Sequence, residues 1–215
     1  MRIFQYNLAL YIGWLFIVWF LYVAFIYESL VLHNGSLGHY GGEIFRVLIF
    51  LGPLIYLIKD FTSSEGFKTL FNRNTPKELV LGIKLSLALA FTSLPLTLLA
   101  NGKSLSIDAV NLLPLWSGIS IAVIVEEIVF RGYILNKLLR YGRLAAVCIS
   151  SVLFVLIHYP GWWFYGPHHS WLHHSGSVLI LGVVLALVFI KYRSLVICIL
   201  LHSTNNLIAK MVQID

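Results

Sequence analysis

Six polar residues stand inside apolar runs of this 215-residue chain: Glu126, Glu127, Arg131, His158, His202 and Asn206. A carboxylate that meets an imidazole can hold a water and take its proton. A second imidazole with a carboxamide supplies the hydrogen-bond donors that stabilise a developing oxyanion. Glu126 with His158, and His202 with Asn206, therefore make the parts of a peptide-bond hydrolase. The same residue types allow other chemistry. Two histidines and a glutamate are a common zinc set with an open position, here Glu126, His158 and His202. The HExxH pattern of zinc peptidases is absent from the sequence. A proton relay in a transporter would use similar groups. A purely structural network of interhelical ion pairs is the plainest alternative.

Spacing separates the roles further. Glu127 and Arg131 are four apart and can pair on one helical face. Adjacent residues on a helix point about 100° apart, so Glu126 is expected to face elsewhere, without a partner in its own helix. Burial raises the pKa of an unpartnered carboxyl, which suits a general base or acid. Phe154 and His158 share a face in "FVLIH", as do His202 and Asn206 in "HSTNN".

The elements that must carry these groups are membrane helices. The chain is 59% hydrophobic and 11% charged, where a soluble domain carries about a quarter charged residues. Mean hydropathy is +0.87. The fold class expected is an all-α, polytopic bundle forming one membrane domain over residues 1–215. Its seven spans are about 7–27, 42–58, 79–100, 115–138, 144–159, 176–190 and 194–212. The first is too long for a signal-peptide core and is expected to be retained. Basic and non-basic connections alternate, which places the N-terminus in the cytoplasm. The net charge of +6 is explained by basic cytoplasmic loops rather than by nucleic acid, for which no motif is present. Lys84 and Arg46 lie near span ends and are expected to snorkel to the interface. Cys148 and Cys198 are expected to be small buried hydrophobes.

Depth supports a shared site. At about 1.5 Å per residue, Glu126 and His158 each lie roughly 20 Å from the cytoplasmic ends of their spans. His202 and Asn206 lie about 12 and 18 Å from Ser194 on the same scale. The fourth, fifth and seventh spans are thus expected to bring the polar groups into one layer.

These motifs resemble a known family. "EEIVFR" is similar to the EExxxR motif of the CAAX prenyl endopeptidase and bacteriocin-processing (Abi, type II CAAX) proteases. "FVLIH" resembles its FxxxH motif and "HSTNN" its HxxxN motif, in the same order. The resemblance covers residues 115–210. It implies an intramembrane glutamate protease with Glu126 and His158 activating water and His202 and Asn206 stabilising the oxyanion. It makes Glu127, Arg131 and Phe154 supporting residues, and it implies catalysis without a metal cofactor. Implied partners are membrane lipid and membrane-associated or prenylated peptides, in the cytoplasmic membrane of a prokaryote. Some relatives are assigned to bacteriocin self-immunity, so a non-proteolytic immunity or scaffold protein that binds a partner peptide is the competing function.

The segment "HYPGWWFYGPHHSWLHHSG" stands outside the core motifs. His168, His169, His173 and His174 could line a metal-binding or gating loop. Trp162, Trp163, Tyr165 and Trp171 favour an interfacial segment at headgroup level instead.

Overall fold

The computed structural model describes residues 2–32, 35–57, 75–101, 121–166 and 171–211, and all the regular structure among them is helical. Helix α1 spans Arg2–Phe25 and is followed by a π-helical turn, Glu28–Leu32. Helix α2 is Gly35–Leu57 and α3 is Thr75–Asn101. Helix α4, Ile121–Glu127, widens into a π-helix over Ile128–Leu135. Then come α5 (Arg143–Leu156), α6 (Tyr159–Tyr165), α7 (Trp171–Tyr192) and α8 (Leu195–Met211).

The protein is an integral, multi-pass membrane protein. Among the described residues, four helical segments are long and apolar enough to cross a bilayer: Leu8–Phe25, Pro76–Pro95, Arg143–Tyr165 and His174–Tyr192. Leu195–Ala209 is apolar but shorter. Most of the basic loop 59–78 and the first residues of the expected fourth span, 115–120, lie outside the described residues.

Small residues set the helix spacing. In a membrane, association rests on close packing rather than on the hydrophobic effect, so a missing side chain lets backbones approach. A Cβ on Gly82 of α3 would come within 2.6 Å of Leu200 Cδ1 on α8. A Cβ on Gly182 of α7 would meet Ser151 Cβ at 3.2 Å and Phe154 Cδ1 at 3.4 Å on α5. The core so formed runs from Tyr11 and Phe50 through Phe130 and Phe154 to Phe189 and Leu195. Arg193 binds Asn136 Oδ1 at 2.8 Å, which joins the α7–α8 turn to the end of α4.

Two sequence expectations are corrected here. Cys198 is buried, but Cys148 is exposed on the outer face of α5. Its apolar neighbours marked a membrane helix, and in a bilayer an apolar residue can face lipid as readily as core. The fifth span was also expected to run as one helix over 144–159. Instead α5 ends at Leu156, the chain turns at Ile157–His158, and Pro160 sits in the first turn of α6. Proline is well tolerated there because the first-turn N–H has no intrahelical acceptor.

Candidate active site

Two of the four-residue spacings, Glu127–Arg131 and Phe154–His158, make the one-turn contacts that the sequence predicts. Arg131 Nη1 donates to Glu127 Oε1 at 2.8 Å, with both side chains almost fully buried. Arg131 Nη2 reaches the Gly182 carbonyl at 3.4 Å. Its guanidinium carbon lies 4.3 Å from the centre of the Phe154 ring. On the turn after α5, His158 Nδ1 is 2.7 Å from the Phe154 carbonyl. A carbonyl only accepts, so Nδ1 carries the proton and Nε2 keeps its lone pair. Phe154 is the hub of this packing: its ring meets His158 edge-on at 5.0 Å and His202 at 5.6 Å.

The third motif joins the first across the bundle. His202 Nδ1 donates to Glu127 Oε1 at 2.8 Å, and its Nε2 lies 3.9 Å from Glu126 Oε2. Glu126 and Glu127 were expected to face different targets. Both instead meet one imidazole: Glu127 is bonded to its Nδ1, and Glu126 comes within 3.9 Å of its Nε2. Glu127 Oε1 thus serves both Arg131 and His202, while Oε2 has no hydrogen-bond partner. Asn206 follows one turn along α8 and is half-buried.

A cavity of about 220 Å³ opens beside this cluster. Glu126 and His158 form one part of its wall, with Ile157, Gly161, Trp162 and Tyr165 from α6 and the preceding turn. Trp19 and Val23 of α1, Tyr27 just beyond its end, and Arg46 and Phe50 of α2 form the rest. Glu126 keeps 14% of its side chain exposed, whereas Glu127 has none. The cavity therefore distinguishes the two carboxylates: Glu126 can meet a water or a substrate, and Glu127 can meet only protein.

The N-terminal helices were not expected in the site. Trp19 Nε1 donates to the Ile157 carbonyl at 2.9 Å, which ties α1 to the turn that carries His158. Tyr165 donates to the Val23 carbonyl at 3.1 Å and fastens α6 to α1. Arg46 was expected to snorkel, yet it lines the cavity. Its one visible signal is position: an arginine near an end of a span whose flanking loop carries no other cation.

Part of the aromatic segment lies among the described residues. Residues 159–165 are helical rather than a loop, and Trp162 stacks at a tilt over His158, 5.6 Å between rings. Trp163 is exposed. His174 meets Trp162 at 6.0 Å. His168 and His169, and the side chains of Trp171 and His173, lie outside the described residues.

The donor types of Glu126, His158 and His202 suit zinc, but their arrangement does not. Among the described residues no three His, Cys, Asp or Glu side chains are gathered closely enough to hold a metal ion.

No curated protein and no solved structure matches the chain. A family model does, the one described as type II CAAX prenyl endopeptidase, Rce1-like, over residues 108–208. That stretch contains Glu126, Glu127, Arg131, His158, His202 and Asn206. A CAAX-protease domain of the Rce1-like family is therefore present over this part of the chain.

Proposed function

We propose that the protein is an intramembrane glutamate endopeptidase that hydrolyses peptide bonds of membrane-associated substrates, prenylated or unmodified. The observation that carries this reading is the asymmetry of the glutamate pair. Glu127 is sealed between Arg131 and His202, while Glu126 faces a cavity shared with His158.

The chemistry follows from these positions. Glu126 carboxylate and the His158 Nε2 lone pair hold a water through its two hydrogens. Glu126 takes one proton as the water oxygen attacks the peptide carbonyl carbon. The carbonyl π pair moves to oxygen, where His202, in its doubly protonated form, and Asn206 supply donors. Collapse of the tetrahedral intermediate breaks the C–N bond, and the Glu126 carboxyl returns its proton to the leaving amine. Glu127 and Arg131 orient His202, and Phe154 holds both imidazoles through its carbonyl and ring. We further propose the seven-span arrangement with a cytoplasmic N-terminus, supported by the alternation of basic connections, in the cytoplasmic membrane of a prokaryote.

The test uses purified protein in lipid vesicles with lipidated and unmodified membrane peptides, read by mass spectrometry. Cleavage is expected to survive a strong chelator and to vanish in Glu126→Gln with the unfolding temperature unchanged. Full activity of Glu126→Gln would refute the assignment. Loss of cleavage on chelation would move Glu126, His158 and His202 to metal ligands. Peptide binding without cleavage would favour the immunity or scaffold function.

A further inference from the structure

We propose that Arg46 of α2, outside the matched domain, is a further catalytic residue whose guanidinium donates to the scissile carbonyl oxygen and stabilises the oxyanion. The proposal rests on the hydrolytic reading of the site.

Three observations point to it. First, Arg46 lines the same cavity as Glu126 and His158, whereas His202 and Asn206 do not. His202 is 2% exposed, and its Nδ1 proton is committed to Glu127 at 2.8 Å. In the neutral imidazole Nε2 is then an acceptor, so it donates to an oxyanion only after gaining a second proton. Arginine is charged at every relevant pH and has no such requirement.

Second, the guanidinium is held without being used up. Its only ion pair among the described residues is Nη1 to Glu43 Oε1 at 3.4 Å, one turn back on α2. Glu43 is not part of the cavity wall. The planar group lies over the Trp19 ring, 5.5 Å from its centroid, which steadies it through a cation–π contact. Its Nε–H has no acceptor. A buried donor in excess is a standing cost that a substrate oxygen would relieve.

Third, the negative charge that moves in the reaction meets a cation on the cavity wall. While His202 is neutral, Glu127 is matched by Arg131 and Glu43 by Arg46, which leaves Glu126 as the surplus carboxylate of this group. When Glu126 takes the proton of the attacking water, its negative charge passes to the carbonyl oxygen and the total is unchanged. A cation on the same cavity wall can meet the charge after that transfer, and whatever it gives the oxyanion beyond what it gives Glu126 is differential stabilisation of the transition state. A fixed substrate carboxylate would instead add a third carboxylate beside Glu43 and Glu126.

The test compares wild type, Arg46→Met and Arg46→Lys in lipid nanodiscs. Two probes are used: a membrane peptide and its phosphinate isostere, whose tetrahedral anion mimics the oxyanion. Arg46→Met is expected to lower kcat by about 10²–10³, the usual loss for one oxyanion donor, with KM little changed. It should weaken the phosphinate by about 10² and the parent peptide hardly at all. Lysine should restore part of both losses. Because Arg46→Met could unfold the chain by orphaning Glu43, the Glu43→Gln/Arg46→Met pair is measured against Glu43→Gln alone. An unchanged kcat, or equal weakening of phosphinate and peptide, would overturn the proposal. So would a loss confined to peptides with a free C-terminal carboxylate and absent from their amides, which would make Arg46 a carboxylate subsite. Phosphinate binding that depends on Arg46 in a wild type that cleaves nothing would refute hydrolysis and keep the anion site. Wild-type cleavage that is indifferent to Arg46 would do the reverse.

Discussion

Replacing Arg131 with methionine tests the buried charge cluster most directly. The change removes the 2.8 Å bond to Glu127, the 3.4 Å bond to the Gly182 carbonyl and the cation over Phe154 at 4.3 Å. Methionine fills much of the volume, so the cavity term is small. What remains is Glu127, fully buried and held only by His202 at 2.8 Å. Removing one partner of a buried pair costs ~3–5 kcal/mol, because the other charge is left uncompensated. The surviving His202 bond argues for the lower end of that range. Lost cation–π attraction in a desolvated site adds on the order of 1–2 kcal/mol. For a chain of this size that corresponds to a fall in Tm of about 10 °C. The assay is a double-mutant cycle in bicelles with Arg131→Met, Glu127→Gln and the pair, followed by reversible unfolding. The pair should be more stable than Arg131→Met alone, since glutamine leaves no buried charge. A destabilisation below about 1 kcal/mol for Arg131→Met, or strict additivity across the cycle, would refute the account of Glu127 as a charge that needs both partners.

Two further perturbations probe the elements that position the site. Gly182→Ala should cost about 1–3 kcal/mol, since its methyl must enter the 3.2–3.4 Å space held by Ser151 and Phe154. Thermal unfolding checks this, and an unchanged Tm would mean that α5 and α7 can separate freely. Trp19→Phe should leave the buried Ile157 carbonyl without its donor at a cost of about 1–3 kcal/mol. It should also lower kcat/KM more than Tyr11→Phe does, although Tyr11 makes a comparable 2.7 Å bond to the Phe50 carbonyl. Equal effects of the two changes on kcat/KM would mean that the α1 contact does not position His158.

Some of this protein was determined locally and was therefore legible in the sequence. Composition alone requires membrane helices, because so apolar a chain must satisfy its backbone within each span. Glu127–Arg131 and Phe154–His158 are contacts across one helical turn, and 3.6 residues per turn dictates them wherever the helix lies. The order of the three polar motifs was enough to suggest the family.

The rest depends on which helices become neighbours, and no local spacing encodes that. The convergence of Glu126 and Glu127 on His202 arises because α8 packs against α4, 75 residues away along the chain between Glu127 and His202. The cavity owes over a third of its wall to α1 and α2, whose apolar faces look alike in sequence whether they meet lipid or protein. For the same reason Cys148 was expected inside and is outside, and Arg46 was expected at the interface and lines the site. In water, hydrophobicity tells inside from outside. In a bilayer both are apolar, so the sequence by itself determines that the chain forms membrane helices and makes these one-turn contacts, and only tertiary packing decides which faces turn inward.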